Sequence, residues 1–279
     1  MNSALKVIKE QVNHFYLIRR LSVFEMKSAN KNNYLGMAWE ILTPAIVIMI
    51  YWLVFGVGIR NRADIHVGNM EVPFLYWLMT GYMLWIFFSQ STINGSKSIF
   101  SRLKIVSKMN FPISIIPNYV IFSRFYVHVA LIAIIIVIFQ FAGYPINKYY
   151  LQLPYFAIAT YIFTYSLALI TSTLSVMIRD VHKLLTSTMR MGIYISPVLW
   201  DVSRIDQDGS IASAVITAIV RLNPLTYLIE GYRAAFFGVD WHFITEPGVT
   251  AYFWVVTILL FIIGSVIHVS TRKHFIDYL

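Results

Sequence analysis

ILTPAIVIMIYWLVFGVGI, residues 41–59, runs from Glu40 to Arg60 without a charged side chain. An α-helix rises about 1.5 Å per residue, so a helix over this stretch nearly matches the roughly 30 Å hydrocarbon layer of a bilayer. Four more runs without Asp, Glu, Lys or Arg are at least as long; they lie between Glu71 and Lys97, Arg124 and Lys148, Lys148 and Arg179, and Glu246 and Arg272. These five runs predict five membrane-spanning helices.

A sixth apolar run, LLTSTMRMGIYISPVLW from Leu184 to Trp200, is shorter, contains Arg190 and has Pro197 near its end. Of all residues, 58% are hydrophobic and 13% are charged, which is typical of an integral membrane protein. The sequence therefore predicts an all-α membrane protein with six transmembrane helices in a single domain, residues 34–279. The predicted spans are about 37–59, 73–94, 118–142, 153–177, 184–200 and 249–270.

Positive charge is distributed unevenly between the connecting segments. Of the 22 Lys and Arg residues, 16 lie in the N-terminal segment, in residues 97–124, in the turn 179–190 and at the C-terminus. Cytoplasmic loops are enriched in Lys and Arg, so these four segments are predicted to be cytoplasmic. With six spans, both termini then lie in the cytoplasm.

The N-terminal segment, residues 1–33, has apolar residues near helical spacing with Lys and Arg between them. This pattern predicts a basic amphipathic helix that lies on the membrane surface. A disordered basic tail that only sets the topology is the alternative. The charges also leave no apolar core for a cleavable signal peptide.

Residues 201–246 are too apolar for a free loop and too charged for a span. Asn223 and Pro224 form a helix start, and Gly238 is a suitable stop. We therefore expect two short re-entrant helices within 208–238, with Glu230 and Arg233 close enough to neutralise each other. A small outer cap on the bundle is the alternative.

Several kinds of chemistry find no support in the sequence. The chain has no cysteine, and INGSKS at 93–98 lacks the Gly-Lys pair of a phosphate-binding loop. No acidic residue lies inside a predicted span apart from Glu40 at the mouth of the first, which disfavours an ion-driven carrier. An enzyme that modifies glycans would depend on Asp206 and Asp208, a pair more typical of a solvated turn. We expect no cofactor, no metal, no nucleic acid and no catalytic residue in this chain.

Five stretches together resemble the membrane subunits of type-2 ATP-binding-cassette exporters, in particular those that export lipid-linked polysaccharides and wall teichoic acid. They are YLGMAWEILTPAIVIMIYWLVFG (34–56), KMNFPISIIPNYV (108–120), RDVHKLL (179–185), ISPVLW (195–200) and RLNPLTYLIEGYRAAFFG (221–238). The resemblance implies a bacterial plasma-membrane permease that pairs with a second copy of itself. It also implies two separate ATPase subunits that bind ATP and Mg²⁺, and a lipid-linked polymer as substrate. Another surface polysaccharide such as O-antigen or capsule is the alternative cargo.

The resemblance gives the basic strip 97–117 a role. Its first part would be a coupling helix on which Arg102, Lys104 and Lys108 meet the ATPase, and Pro112 and Pro117 would separate it from the third span. Arg179, Asp180 and Lys183 would form a second, smaller contact. Binding of lipid headgroups is the alternative for these cations.

A polymer path needs aromatic rings that stack on sugars and cations that meet phosphate. The candidates for this path are Trp39, Tyr51, Trp52, Tyr161, Tyr165, Arg190, Tyr194 and Trp200. Interfacial or packing roles are the alternative for the aromatics. Arg190 either contacts a diphosphate or extends to the cytoplasmic surface.

Overall fold

The computed structural model describes residues 2–58, 65–68, 70–103, 111–202 and 211–278. These residues form mostly α-helix, with a small hairpin of β1 (Ile65–Val67) and β2 (Met70–Val72). The helices are α1 (Asn2–Asn13), α2 (Phe15–Ala29), α3 (Trp39–Tyr51), α4 (Phe74–Lys97), α5 (Ile115–Phe141), α6 (Leu153–Met177), α7 (Asp180–Ile195), α8 (Ile211–Arg221), α9 (Pro224–Phe237), α10 (His242–Thr245) and α11 (Pro247–Thr271). The hairpin was not predicted from the sequence.

Within the described residues, four helical segments are long and apolar enough to cross a membrane: Gly36–Val57, Ile115–Phe141, Lys148–Met177 and Pro247–Phe275. They contain α3, α5, α6 and α11, and they correspond to four of the six predicted spans. Several apolar spans make the chain a multi-pass membrane protein.

The other two predicted spans differ from these four for physical reasons. With 24 residues α4 is long enough to cross a membrane, but it is less apolar than the four segments above. It lies buried between α5 and α6 and exposes little surface, so few of its side chains need to be compatible with lipid. α7 has 16 residues, which is about 24 Å of helix and short of the roughly 30 Å hydrocarbon layer. Six membrane crossings therefore stay a prediction.

The N-terminal segment forms two helices rather than one. α1 and α2 are separated by a turn at His14, whose Nδ1 lies 2.9 Å from the carbonyl oxygen of Glu10. α1 packs on α11 and α2 packs on α5. Most of the apolar residues of the predicted amphipathic series, including Leu5, Ile8 and Val12, are exposed on the surface of the fold. That exposure fits a helix pair lying at a membrane surface.

The two short helices expected between the last spans are present as α8 and α9. Asn223 caps α9 by accepting a hydrogen bond from the Leu225 amide at 3.1 Å, Pro224 occupies the first turn, and Gly238 ends the helix at φ 69°. α9 is buried along nearly its whole length among α4, α6 and α11. It is therefore part of the bundle core, and the re-entrant course expected for α8 and α9 stays a prediction.

α3 continues as a π-helix over Trp52–Gly58, which the sequence did not predict. π-Helical turns widen a helix locally and occur often at functional positions. Trp52 begins this turn, and a Cβ on Gly56 would lie only 3.0 Å from its ring.

Candidate functional site

One end of the bundle, which we call the basic end, brings together α1, α2, the last turn of α4, the first turns of α5 and α7, and the last turn of α11. At its centre Glu10 accepts a hydrogen bond from Arg272 at 2.8 Å and another from Ser114 at 2.5 Å. Burial raises the pKa of Glu10, but these hydrogen bonds outweigh it, so the pKa lies below the usual value. α1 is thereby joined to α5 and α11.

Two further acids at the basic end also pair with arginines. Glu25 of α2 contacts Arg102 at 2.5 Å, and Glu40 at the start of α3 accepts from Arg124 at 2.8 Å. Glu40 also accepts a hydrogen bond from Asn30. These pairs hold the N-terminal helices against the spans.

The predicted ATPase contacts have different surroundings. Arg102 is only 25% exposed and is engaged by Glu25, so in this structure it anchors α2 rather than presenting a free charge. Lys104 and Lys108 lie outside the described residues, as do Asp206 and Asp208. Arg179 is exposed, and Asp180 and Lys183, about 80% exposed, form an ion pair at 3.3 Å. Among the candidates that the structure describes, the first turn of α7 is therefore the accessible charged surface.

Tyr161 and Tyr165, two of the predicted path residues, lie in an internal network. The Tyr161 hydroxyl donates to Asn118, whose amide donates to Gln11 at 2.6 Å, and the Tyr165 hydroxyl donates to the Ser114 carbonyl at 3.3 Å. Tyr165 is buried. Within one chain these tyrosines connect α6 to α5 and, through Gln11, to α1, and they do not line an open surface.

Other predicted path residues gather along α3 and α7. Tyr51 interacts with Tyr194 and packs edge-on against Tyr82 at 5.8 Å, and the Trp200 indole donates to the Tyr194 carbonyl at 2.9 Å. Tyr194 and Arg190 are exposed, as is Trp39 at the first turn of α3. The structure thus brings Tyr51, Tyr194 and Trp200 together, whereas Trp39 lies apart at the start of α3.

The exposed face of α7 is polar as well as apolar. Ser187, Thr188 and Arg190 are exposed beside Met191 and Tyr194. The exposed large side chains of α11, by contrast, are aliphatic: Val255, Ile258, Leu259, Ile262, Ile263 and Val266. A charged and hydroxyl-bearing face is costly against lipid, whereas an aliphatic face is not. The face of α7 is therefore suited to water, a polar cargo or a protein partner.

A lateral groove of about 340 Å³ lies between α3, α4 and α5. Every side chain that lines it is apolar, including Pro44 and Trp52 of α3, Met83 of α4 and Leu131 of α5. Trp52, predicted as a path residue, is therefore placed against hydrocarbon surface. The groove can accept an alkyl or isoprenoid chain but offers nothing to a sugar.

At the opposite end of the bundle Arg233 is buried. Its guanidinium lies 3.5 Å from the centroid of the Trp77 ring, and its Nη2 donates to the Val198 carbonyl at 3.3 Å. Arg233 and Glu230 form no ion pair in the described part of the chain, although the Glu230 charge acts on Arg233 through space. Arg233 thus extends toward α4 and makes a cation–π contact there, and neutralisation between its charge and that of Glu230 stays a prediction.

Beside Arg233 lies a crevice with charged walls. It consists of adjoining cavities of about 290 and 240 Å³ that share Asp201, Val202, Glu230 and His242. We name it the acidic crevice; its charged lining is Asp201, Arg221, Glu230, Arg233, Asp240 and Glu246. Burial lowers the pKa of His242, so its imidazole is neutral at physiological pH and can both donate and accept.

Comparison with known proteins identifies the family to which this chain belongs. The model of the ABC-2 type transporter family matches residues 16–237, most of the chain. The chain belongs to the ABC-2 type transporter family. It is 25% identical over 234 residues to the O-antigen export system permease protein RfbA of Myxococcus xanthus, covering 84% of this chain and 85% of that protein. Two RfbA proteins of Klebsiella pneumoniae are 27% and 25% identical, over 82% and 98% of this chain and 84% and 99% of theirs.

In this ABC-2 chain, sequence reasoning missed the acids that organise the basic end. Glu10, Glu25 and Glu40 are the only acidic residues among the first 40 positions, and each pairs with an arginine. Their isolation within a basic segment was a usable signal, but their arginine partners lie about 80 to 260 positions away. No local spacing could have identified those partners.

Proposed function

We propose that this ABC-2 chain is the permease subunit of an exporter that moves a lipid-linked polysaccharide from the cytoplasmic to the outer side of the cell membrane. The relatives carry most of this proposal, because each is an O-antigen export permease and each aligns over more than four fifths of this chain. Their names favour an O-antigen type of glycan over the wall teichoic acid expected from the sequence. ATP hydrolysis is assigned to separate subunits.

The structural observation that carries the transport role is the polar exposed face of α7. The Arg190 charge cannot face lipid without cost, and Tyr194, one turn further along α7, contacts Tyr51 and Trp200. Two copies of the chain that meet through α3 and α7 would enclose this face. The enclosed surface offers rings for sugars and a cation for a phosphate linker.

The lateral groove suits the lipid part of the cargo. Its lining is entirely apolar, and it lies between three of the bundle helices, α3, α4 and α5. A hydrocarbon chain can remain there while the polar part passes along α7. The lipid part of the cargo would thus contact the apolar groove, and its polar part would contact the polar face of α7.

The basic end is proposed as the cytoplasmic docking surface for the ATPase. Arg179, Asp180 and Lys183 are the exposed charges of the first turn of α7, and Arg102 with Glu25 fixes α2 beside the last turn of α4. A partner that pushes on this end would act on α1, α5 and α11 together through Glu10, Ser114 and Arg272.

The proposal is tested by depletion and complementation in the host. Loss of this chain should remove the polysaccharide from the cell surface and accumulate its lipid-linked form inside. Arg179→Ala with Lys183→Ala should fail to restore export although the protein inserts normally, and Lys6→Ala with Lys9→Ala, which removes two exposed cations of α1, is the matched control. Unchanged surface glycan after depletion would refute the proposal. Export that stops on dissipating the proton gradient while ATP is maintained would favour an ion-driven carrier instead.

A further inference from the structure

The acidic crevice contains three buried polar atoms without a hydrogen-bond partner among the described residues. They are Nε of Arg233, Oδ1 of Asp240 and Nε2 of His242. All three residues line the same cavity of about 240 Å³. Unpaired polar atoms that are buried cost free energy, so three beside one cavity indicate that something polar occupies it.

Arg233 gives the strongest indication of a ligand. Its side chain is only 6% exposed, it is held on Trp77 and by the Val198 carbonyl, and it still directs an unpaired donor beside the cavity. A guanidinium that is held by these two contacts does not need a ligand for its position. Its remaining N–H is therefore a preformed donor.

The mixture of groups identifies the class of ligand. Arg233 donates, Asp240 accepts, and neutral His242 can do either. A cation would be repelled by Arg233, and among the described residues the acids do not converge into a cluster that could hold a metal ion. An anion would meet Asp201, Glu230, Asp240 and Glu246 against Arg221 and Arg233. Hydroxyl groups both donate and accept and carry no charge, so they satisfy all three atoms.

The volume of the acidic crevice indicates an occupant larger than a single water molecule. Each of the two adjoining cavities, about 290 and 240 Å³, is many times the roughly 30 Å³ that one water occupies. Together they fall within the roughly 300–1,000 Å³ typical of small-molecule sites. The crevice can therefore hold a sugar residue rather than only a bridging solvent molecule.

We infer that the acidic crevice is a binding site for a neutral, hydroxyl-rich segment of a glycan at the end of the bundle opposite to the basic end. This inference rests on the proposed export of a polysaccharide and adds a selectivity to it. The carboxylates disfavour polymers with phosphodiester or uronate groups, and the unpaired atoms favour uncharged sugars. Asp240 and His242 would contact sugar hydroxyls, with Arg233 beneath them.

Equilibrium binding tests the site separately from transport. The full-length chain in lipid nanodiscs is titrated calorimetrically with neutral pentasaccharides of glucose, galactose and mannose, and with a glycerol phosphate pentamer as the anionic probe. At least one neutral probe should bind, and the anionic probe should bind about tenfold more weakly or not at all. Asp240→Ala and His242→Ala should each weaken binding by about tenfold, since each removes one hydrogen-bonding group.

Matched variants make the result decisive. Lys148→Gln removes an exposed charge at the same end of the bundle but outside the crevice, and it should bind as the unaltered chain does. If Asp240→Ala does not fold, Asp240→Asn and Glu230→Gln replace it, and thermal melting confirms folding. No binding by any neutral probe, binding unaffected by both crevice variants, or equal binding of the anionic probe would each overturn the inference. Those outcomes leave ATP-driven export intact, whereas a chain that binds the neutral probe but exports no glycan would refute only the proposed function.

Discussion

At the residue scale, the described part of the protein is organised by a few charged side chains that are partly or fully withdrawn from water. Glu10, Glu25 and Glu40 each use an arginine from a distant span. Arg233 uses an aromatic ring and a carbonyl instead. A partly buried ion pair adds little to the net stability of the fold, because removing the two charges from water is costly. Loss of one partner is nevertheless destabilising, because the other charge is left without compensation. Such pairs therefore position helices more than they add stability.

The Glu25–Arg102 pair gives the first prediction. Arg102→Ala should lower the melting temperature of the detergent-solubilised chain and loosen α2, because Glu25 is left partly buried without its partner. The reversed pair, Glu25→Arg with Arg102→Glu, should recover most of the loss. Trypsin cleavage at Arg19 and Arg20 of α2 reports the loosening. If Arg102→Ala leaves both measurements unchanged but abolishes ATPase coupling, Arg102 contacts the ATPase as the sequence suggested.

Glu10 gives a pH dependence with a defined sign. Its pKa in the folded chain is below the unfolded value of about 4.5, so its stabilising contribution is complete above that value. The contribution disappears as the pH falls through the folded pKa, because protonation breaks the contact with Arg272. Thermal melts from pH 6 to pH 3 should show a steeper acid loss for the unaltered chain than for Glu10→Gln. Parallel curves would contradict this assignment.

At the element scale, α9 is the helix on which the opposite end of the bundle depends. It is capped by Asn223, ends at Gly238 and lies close enough to α6 that a Cβ on Gly231 would collide with the Phe156 ring. The same helix carries Glu230 and Arg233 to the acidic crevice. A shift of α9 would therefore disturb both the core and the crevice.

The close approach of α9 and α6 gives a prediction with a matched control. Gly231→Ala should destabilise the fold by about 1–3 kcal/mol, because overpacking forces the Phe156 ring or the backbone to move. Gly248→Ala in the first turn of α11 meets nothing within 4 Å and should be neutral or stabilising by up to about 1 kcal/mol. Denaturant titration in mixed micelles measures both. Equal effects of the two substitutions would show that α9 has room to move.

α1 and α2 are the corresponding elements at the basic end. Gln11 of α1 accepts from Asn118 and donates to the Ser114 carbonyl, and Asn118 accepts from Tyr161. One surface helix is thus connected to α5 and α6 through buried amides and hydroxyls. The connection explains why Tyr161 is turned inward although it lies in an aromatic-rich span.

At the scale of the whole molecule, the exposed faces are chemically unequal. The face of α11 is aliphatic, and the face of α7 carries Arg190, Ser187 and Thr188. The first suits lipid, and the second needs a partner or water. This asymmetry is the structural basis for proposing that two copies meet through α3 and α7.

The chain contains no cysteine, so single cysteines test this arrangement cleanly. Met191→Cys on α7 and Ile50→Cys on α3, an exposed position that does not line the lateral groove, should form disulfide-linked dimers when membranes are oxidised, because each position would face its copy. Ile258→Cys on the aliphatic face of α11 is the control and should stay monomeric. Cross-linking through Ile258→Cys alone would place the interface on α11 and remove the proposed enclosure of the α7 face.

The sequence by itself determined the helical membrane class, four of the spans, the cap and stop of α9, and the grouping of basic segments. These features follow from local length, apolarity and backbone preference, which are readable within one segment. The family resemblance also lay in contiguous stretches. The notion of two short helices before the last span came from the same local signals.

Only the tertiary structure decided which side chains meet. Arg102 contacts Glu25, Arg233 contacts Trp77, and Tyr165 donates to the Ser114 carbonyl. The sequence alone predicted a different role for each of these three side chains. The acidic crevice likewise joins residues of α9, α10 and two loops with the hairpin and α4. The physical reason is that a buried polar group must find its partner in three dimensions, and neither hydropathy nor spacing along the chain encodes where that partner lies.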